Sequence, residues 1–228
     1  MDDEIGFERG SDLMHRHLRD TTRPAEFTLL DREWELLDGV FSPTYTPVTG
    51  LFTSWLPFPP GGSFLEIGSG VGVAAVVAAQ EGCAVTALDV SAAAVENTRR
   101  NVVRHGVADR VRVLHSDLFS ALGPDERFDL IYWNSNFAEP PEGFVNESDL
   151  HHAFFDPGYD AHRRFLREAP DRLTPGGRVL LGFSSIGNVG LLRRLATDAG
   201  RKLTLWRSQP RELDTVALEF QMWELTRA

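Results

Sequence analysis

The residues with the clearest chemical potential lie at Glu66-Ile67-Gly68-Ser69-Gly70-Val71-Gly72, where the apolar run SFLEI gives way to three alternating glycines. Glycine at these positions permits a tight turn and lets a ligand lie against bare backbone. At the carboxyl end of a strand and ahead of a helix, such a turn is where open α/β sheets bind their ligands. A dinucleotide fingerprint needs glycine at 73, and that residue is Val73. The G-x-G-x-G spacing, with Glu66 two places ahead of it, points instead to a nucleoside without a pyrophosphate. Asp89 closes the next apolar run, AVTALDV, about twenty residues on, the place of a carboxylate that accepts from ribose hydroxyls. Asp117, in HSDLF after a third run, is placed to accept from an adenine amino group. Each aspartate alone has a plain alternative: Asp89 could cap the helix starting near Ser91, and Asp117 a short turn before Phe119.

The elements that must position these groups follow from periodicity. Residues of about 5–20 read as a helix, and EFTLLDREWELLDG as a hairpin around Asp31-Arg32. A helical turn or two from Pro47 to Trp55 precedes the break at Pro57-Phe-Pro-Pro-Gly-Gly. Strands and helices then alternate: SFLEI, the helix VAAVVAAQ, AVTALDV, the helix SAAAVENTRRNVVRHG, RVRVLHSD, FDLIYWN, the helix AHRRFLREAPDRL, GRVLLGFSS and a helix near 188–199. Two last strands, near 202–208 and 214–223, follow across a turn containing Pro210. This pattern predicts an α/β, Rossmann-like, mostly parallel seven-stranded sheet with an antiparallel C-terminal end. Residues 1–60 are expected to form an extension of helix, hairpin and helix packed on a ligand-binding domain of residues 61–228.

With 228 residues, 42% hydrophobic and 25% charged, the chain has the composition of a soluble globular protein with room for one sizeable core. It has no apolar run of the roughly 20 residues a membrane-spanning helix needs. Its acidic start, MDDEIGFERG, is unlike a secretory signal, so a cytoplasmic location is expected. The net charge of −10 speaks against a nucleic-acid substrate, since the Arg99-Arg100 and Arg193-Arg194 pairs fall on helices whose solvated faces account for them. Cys83 is the only cysteine, reads as a buried thiol, and no spacing suggests a metal site.

On these motifs the sequence resembles class I methyltransferases, and more narrowly the small-domain group that includes HemK-type release-factor glutamine methyltransferases and guanine-N2 ribosomal RNA enzymes. FLEIGSGVGVAAVVAA matches the group's glycine motif and VTALDVSAAAVENTRRNVVRHGVADRVRVLHSDLF its ribose-to-adenine stretch. GVFSPTYTPVTGLF resembles the preceding segment, where a Phe and a Thr line the pocket. The resemblance spans about residues 38–185 and implies S-adenosylmethionine as cofactor. Its binding set would be Phe41, Thr49, Glu66, Gly68, Ser69, Gly70, Gly72, Asp89, Val90, Ser91, Asp117, Leu118 and Asn134. Glu66 would hold the methionine amino group, and three carboxylates would suit a sulfonium cation.

The group's amino-methylating members carry Asn/Asp-Pro-Pro-Tyr/Phe after the fourth strand, and this chain carries Asn134-Ser135-Asn136-Phe137. The resemblance implies that Asn134 and the next carbonyl align a target nitrogen while Phe137 packs on it. Loss of both prolines implies a less rigid loop, and leaves oxygen open as an acceptor atom. The roughly 25 residues that follow form an expected lid. In it His151 and His152 are candidate bases, against a reading as surface or helix-end histidines, and Phe155 or Tyr159 candidate stacking rings. Trp133 is expected to be core or pocket wall.

The leading expectation is N-methylation of a small molecule or an amino-acid side chain, without metal and with an uncharged or cationic acceptor. The alternatives are a protein glutamine or lysine or RNA-base methyltransferase and a non-catalytic cofactor-binding module. A nicotinamide oxidoreductase ranks last because of Val73. Nothing in the sequence names the acceptor or the oligomeric state.

Overall fold

The computed structural model describes residues 2–213 and 216–227. The chain begins with α1 (Asp2–Arg19) and the hairpin β1 (Glu26–Leu29) and β2 (Arg32–Glu35). The hairpin turn is Leu30-Asp31, one residue earlier than expected, and both residues adopt positive φ (53° and 57°), the backbone that a two-residue hairpin favours. A 3-10 turn at Pro43–Tyr45 leads into α2 (Val48–Trp55). Then come β3 (Ser63–Ile67), α3 (Val73–Gln80), β4 (Ala84–Asp89), α4 (Ala92–Arg104), β5 (Val111–His115) and β6 (Phe128–Asn134). After a long segment with short 3-10 turns come α5 (Asp160–Glu168), β7 (Leu173–Ser184), α6 (Val189–Asp198), β8 (Arg201–Leu213) and β9 (Val216–Arg227).

Seven strands form one sheet in the order β5-β4-β3-β6-β7-β9-β8. The first five are parallel, and β9 runs antiparallel between β7 and β8. Pro210 is not in a turn as its type suggested: it lies within β8, opposite Glu219. Strand β8 is the sheet's edge, where a missing N–H on the open side breaks no ladder. The helix expected to run to Pro175 ends at Glu168, gives one 3-10 turn over Ala169–Arg172, and Pro175 already belongs to β7.

Strand alternation feeds two cores. Phe64, Val85, Ala87, Leu130, Tyr132 and Leu180 face a layer made of α2, α3, α4 and the hairpin. Leu65, Leu88, Ile131, Trp133, Val179 and Leu181 face α5 and α6. The Ala/Val-rich α3 has no polar side to offer, and six of its eight residues are buried. The extension shares this core through Phe27, Trp34, Leu36 and Val40. Two buried asparagines one turn apart on α4 hold it: Asn97 Oδ1 accepts from the Leu37 N–H at 2.9 Å, and Asn101 Oδ1 from the Glu35 N–H at 2.8 Å. Their amides return hydrogen bonds to the Glu35 carbonyl. Buried polar groups so fully paired fix a docking register that apolar contact alone leaves loose. A third cluster, Met14, Ala138, Leu150, Phe154 and Phe155, ties α1 to the long segment after β6.

Candidate active site

Strand β3 has β4 on one side and β6 on the other, so the chain's crossovers leave in opposite directions and open a crevice at the strands' carboxyl ends. A cavity of about 960 Å³ occupies it. Its floor is Glu66–Val71 after β3, Asp89–Ser91 after β4, Ser116–Leu118 after β5 and Tyr132–Ala138 at the end of β6. Its roof combines α1, at Gly10 and Leu13, with Phe41, Tyr45 and Phe154.

The glycine turn takes the left-handed backbone its sequence suggested, with φ of 66°, 55° and 88° at Gly68, Gly70 and Gly72. The three positions differ in what surrounds them. A Cβ at Gly72 would lie 2.9 Å from Thr98 Cγ2, so that glycine serves packing. A Cβ at Gly70 would meet nothing within 4 Å: this backbone faces open cavity. Asp89 fastens the turn, accepting from the Gly70 N–H at 2.8 Å through Oδ2 and from the Ser91 N–H at 2.9 Å through Oδ1. Ser91 Oγ in turn caps α4 at Ala94. The capping alternative is therefore filled by Ser91, and each Asp89 oxygen retains a lone pair for a further donor.

Glu66 is buried and accepts from the Ala75 N–H at 2.9 Å. Burial pushes its carboxyl well above the ordinary glutamate value, against the Ala75 hydrogen bond and with help from nearby Asp89. Burial likewise raises Asp89, opposed by the N–H groups of Gly70 and Ser91. Two desolvated carboxylates at one cavity wall favour a cationic, hydroxyl-bearing occupant, which would restore their lost solvation. The residues present thus fit S-adenosylmethionine: the bare Gly70 backbone, a carboxylate at each of two strand ends, and Phe41 and Thr49 on the cavity wall. Ser69, Val90 and Leu118 also line it, and Leu118 holds a positive φ of 47°. Asp117 lines the rim, where Arg164 of α5 pairs with its Oδ2 at 2.9 Å. Sequence reading had no partner for Asp117, because Arg164 lies in a separate motif.

At the acceptor end, Asn134 lies one residue beyond the Ile67–Trp133 register pair of β3 and β6, beside Gly68. Its carboxamide has no hydrogen-bond partner among the described residues and borders the cavity with Phe137. The loop after it lacks prolines and is tied instead by hydrogen bonds. Ser135 N–H and Oγ both donate to the Gly182 carbonyl, at 3.1 and 2.8 Å. Asn136 Nδ2 donates to the His152 carbonyl at 2.9 Å. Tyr159 Oη donates to the Phe137 carbonyl at 2.5 Å and accepts from the Asn188 N–H at 2.9 Å.

The two candidate bases separate. His152 lines the cavity, with its ring Nδ1 3.1 Å from Asn146 Nδ2. His151 turns away: its Nδ1 accepts from the Glu147 N–H at 2.8 Å and its ring packs near Phe144 and Phe155. Tyr159 is fully buried and spent on the clamp, while Phe155 packs against Phe7 and Phe144 and reaches the cavity at one edge. Trp133 forms cavity wall, its Nε1 lying 3.5 Å from where a Gly68 Cβ would be. Cys83 is buried and donates to the Pro59 carbonyl, with burial raising its thiol.

The fold is that of a class I methyltransferase domain. A family model, the methyltransferase small domain, matches residues 34–188, and the chain belongs to that family. Among its relatives, the ribosomal protein uL3 glutamine methyltransferase of Bradyrhizobium diazoefficiens is 35% identical over 150 residues, covering 62% of this chain and 44% of its own length. The release factor glutamine methyltransferase of Rhodopirellula baltica is 32% identical over 152 residues, covering 62% and 50%. The chain thus spans about half the length of the curated relatives it matches. A Pyrococcus furiosus methyltransferase structure matches 97% of this chain and 99% of its own, with TM-score 0.61 at 19% identity. A T. thermophilus 16S rRNA methyltransferase, solved in complex with AdoMet and guanosine, matches 90% and 50%, with TM-score 0.60 at 21% identity. At such identities the structural likeness is one of fold. No helix among the described residues is long and apolar enough to cross a membrane.

Proposed function

We propose that this protein is an S-adenosylmethionine-dependent N-methyltransferase acting on an amino-acid side-chain nitrogen, a carboxamide such as glutamine's first among them. The observation that carries this reading is the unpartnered Asn134 carboxamide at the end of β6, beside the glycine turn. S-adenosylmethionine supplies an electrophilic methyl group. Asn134 Oδ1 and the following carbonyl accept from the acceptor's N–H groups and turn its lone pair toward that methyl carbon. Held by the glycine turn, Glu66 and Asp89, the cofactor would give up its sulfur–carbon bond for the new nitrogen–carbon bond, and the acceptor nitrogen would release a proton. Of the two predicted bases, His152 is the one that lines the cavity and is the candidate to receive it. Alignment of an in-line displacement supplies a large share of such a rate. Phe137 and the roof formed by α1 and Phe154 keep water from the acceptor. The relatives named as glutamine methyltransferases favour the carboxamide.

A second reading, a free small-molecule acceptor, is favoured by that same roof, since α1 and the Phe154 segment narrow the entry a protein loop would use. The test uses methyl-labelled S-adenosylmethionine, purified protein and an extract of the source cells, followed by size filtration. Enzyme-dependent label on protein, released by hydrolysis as a methylated side chain, supports the first reading. Label in the filtrate replaces it with the second, and no enzyme-dependent label at all refutes methyl transfer.

A further inference from the structure

Beneath the acceptor loop lies a chain of three buried polar residues that the methyl-transfer reading has not used. Asp156, Ser135 and His162 are all buried, the last completely. Asp156 Oδ2 accepts from the His162 backbone N–H at 3.0 Å and meets His162 Nδ1 at 2.6 Å. Its Oδ1 accepts from the Ala161 N–H at 3.0 Å, so the aspartate also caps the first turn of α5. Burial would lift this carboxyl, but His162 and Ala161 hold it below the ordinary aspartate value. A carboxylate only accepts, so the His162 proton facing it sits on Nδ1. That fixes the ring and turns Nε2 to Ser135 Oγ, 2.9 Å away. Aromatic rings close the remaining sides: Trp133 and Tyr159 each have centroids 4.6 Å from the imidazole, and Phe183 stands edge-on at 5.6 Å.

The box meets the acceptor loop through Ser135, the residue after Asn134. Its hydroxyl, with one proton to give, lies 2.9 Å from His162 Nε2 and 2.8 Å from the Gly182 carbonyl of β7. A buried network with every member satisfied is rigid, and rigidity at 135 sets the direction of both the Asn134 side chain and the Ser135 carbonyl. We infer that Ser135, His162 and Asp156 form a positioning relay that orients the Asn134-Ser135 acceptor groups, in place of the ring constraint that proline would give this loop. Its side chains position the loop, and the one relay group assigned to the acceptor is the Ser135 backbone carbonyl. It rests on the reading that Asn134 aligns the acceptor nitrogen.

Ser135→Ala removes one oxygen atom and leaves the box intact, Ser135→Thr keeps the hydroxyl, and His162→Gln keeps a side-chain nitrogen near the place of Nε2. Two measurements test the relay. The first is hydrogen exchange of the backbone amides at 134–138, which needs no acceptor. The expected result is exchange about tenfold faster in Ser135→Ala, with Ser135→Thr close to the parent protein and His162→Gln, which loses the Nδ1 bond to Asp156, between the two, since loss of a bond of about 1.4 kcal/mol is a tenfold change. The second is the rate of label transfer to the extract's acceptor at saturating S-adenosylmethionine. It should fall about 10- to 100-fold in Ser135→Ala, the scale of a misplaced reacting pair, while the apparent Michaelis constant for S-adenosylmethionine and the affinity for S-adenosylhomocysteine stay within about twofold. Unchanged exchange in Ser135→Ala overturns the relay whatever the activity. Faster exchange with an unchanged transfer rate reduces the triad to a structural tie and overturns it as well. If the parent protein transfers no label, the methyl-transfer reading fails separately, and the exchange result still decides whether the relay holds the loop.

Discussion

Asp89 offers the sharpest test of the cofactor cradle, because its two oxygens are already accounted for within the protein. Each accepts one backbone N–H, from Gly70 at 2.8 Å and from Ser91 at 2.9 Å, and each has a second lone pair on a residue that lines the cavity. Ribose hydroxyls that donate to these lone pairs make charge-assisted bonds, worth about 1.5–3 kcal/mol each where solvent is excluded. Asp89→Ala removes them and also leaves the Gly70 N–H without its acceptor, so the glycine turn loses its fastening. Loss of one such bond alone predicts affinity lower by about 10- to 100-fold. Asp89→Asn keeps one acceptor oxygen, but its amide nitrogen must face one of the two N–H donors, so an intermediate loss is expected.

Isothermal titration of S-adenosylhomocysteine into the three proteins measures this directly, because binding heat needs no acceptor substrate. The pH dependence adds a second check. Burial raises the Asp89 carboxyl above its reference value of 3.8, and the neutral acid is a poorer acceptor than the carboxylate. Affinity should therefore fall as pH is lowered, and the fall should begin above that reference value. Binding by Asp89→Ala within about twofold of the parent would refute the assignment of the β4 carboxylate to the ligand.

Other outcomes follow from the same geometry. Asn134→Ala should lower methyl transfer by about 10²-fold with S-adenosylhomocysteine affinity unchanged, and equal transfer by both proteins would remove Asn134 from the reaction. Gly70→Ala should cost about 1–2 kcal/mol of stability from its left-handed backbone and fold, yet lose S-adenosylhomocysteine binding, because its Cβ enters open cavity. Gly72→Ala should instead lower the melting temperature further, because its Cβ lies 2.9 Å from Thr98 Cγ2, and thermal melts of the pair would show the contrast. For Glu66 the folded value lies above the unfolded one, so the folded state binds the extra proton and stability falls as pH rises through that interval. Glu66→Gln, which keeps an acceptor for Ala75, should melt higher than the parent at about pH 8 and lose that advantage near the unfolded value of about pH 4.5.

The cofactor end was legible because its chemistry demands particular residue types at particular strand ends. Glycine takes the left-handed backbone at 68, 70 and 72 without steric cost, and Glu66 and Asp89 each close an apolar run, so sequence position and function coincide. Other features depend on contacts between distant residues. Asn97 and Asn101 look like the polar side of an ordinary surface helix, yet both are buried against a hairpin about 60 residues away, as the Asn97–Leu37 separation of 60 shows. Pro210 reads as a turn because proline removes a donor, a property an edge strand tolerates. The polar clamps on the acceptor loop were missed for the same reason. Ser135 and His162 are 27 residues apart, and Tyr159 and Phe137 are 22 apart. What signal existed lay in Asp156, a capping residue just ahead of a helix whose second residue after Asp160 is a histidine.

Trp133 joins the two ends of the site. One side of its indole lies below the glycine turn, with Nε1 3.5 Å from the position of a Gly68 Cβ. Another side lies against the His162 imidazole, centroid to centroid 4.6 Å. A change of volume at His162 therefore presses on the wall of the cofactor cradle as well as on the acceptor loop. Close-packed interiors transmit such strain over this distance. Loss of both cofactor affinity and turnover in a bulky His162 variant would then say nothing about positioning. Ser135 is different: its hydroxyl meets Gly182 and His162, and removing it leaves the indole's packing in place. The separation of acceptor alignment from cofactor binding must therefore be read at Ser135, where the two functions diverge along the chain.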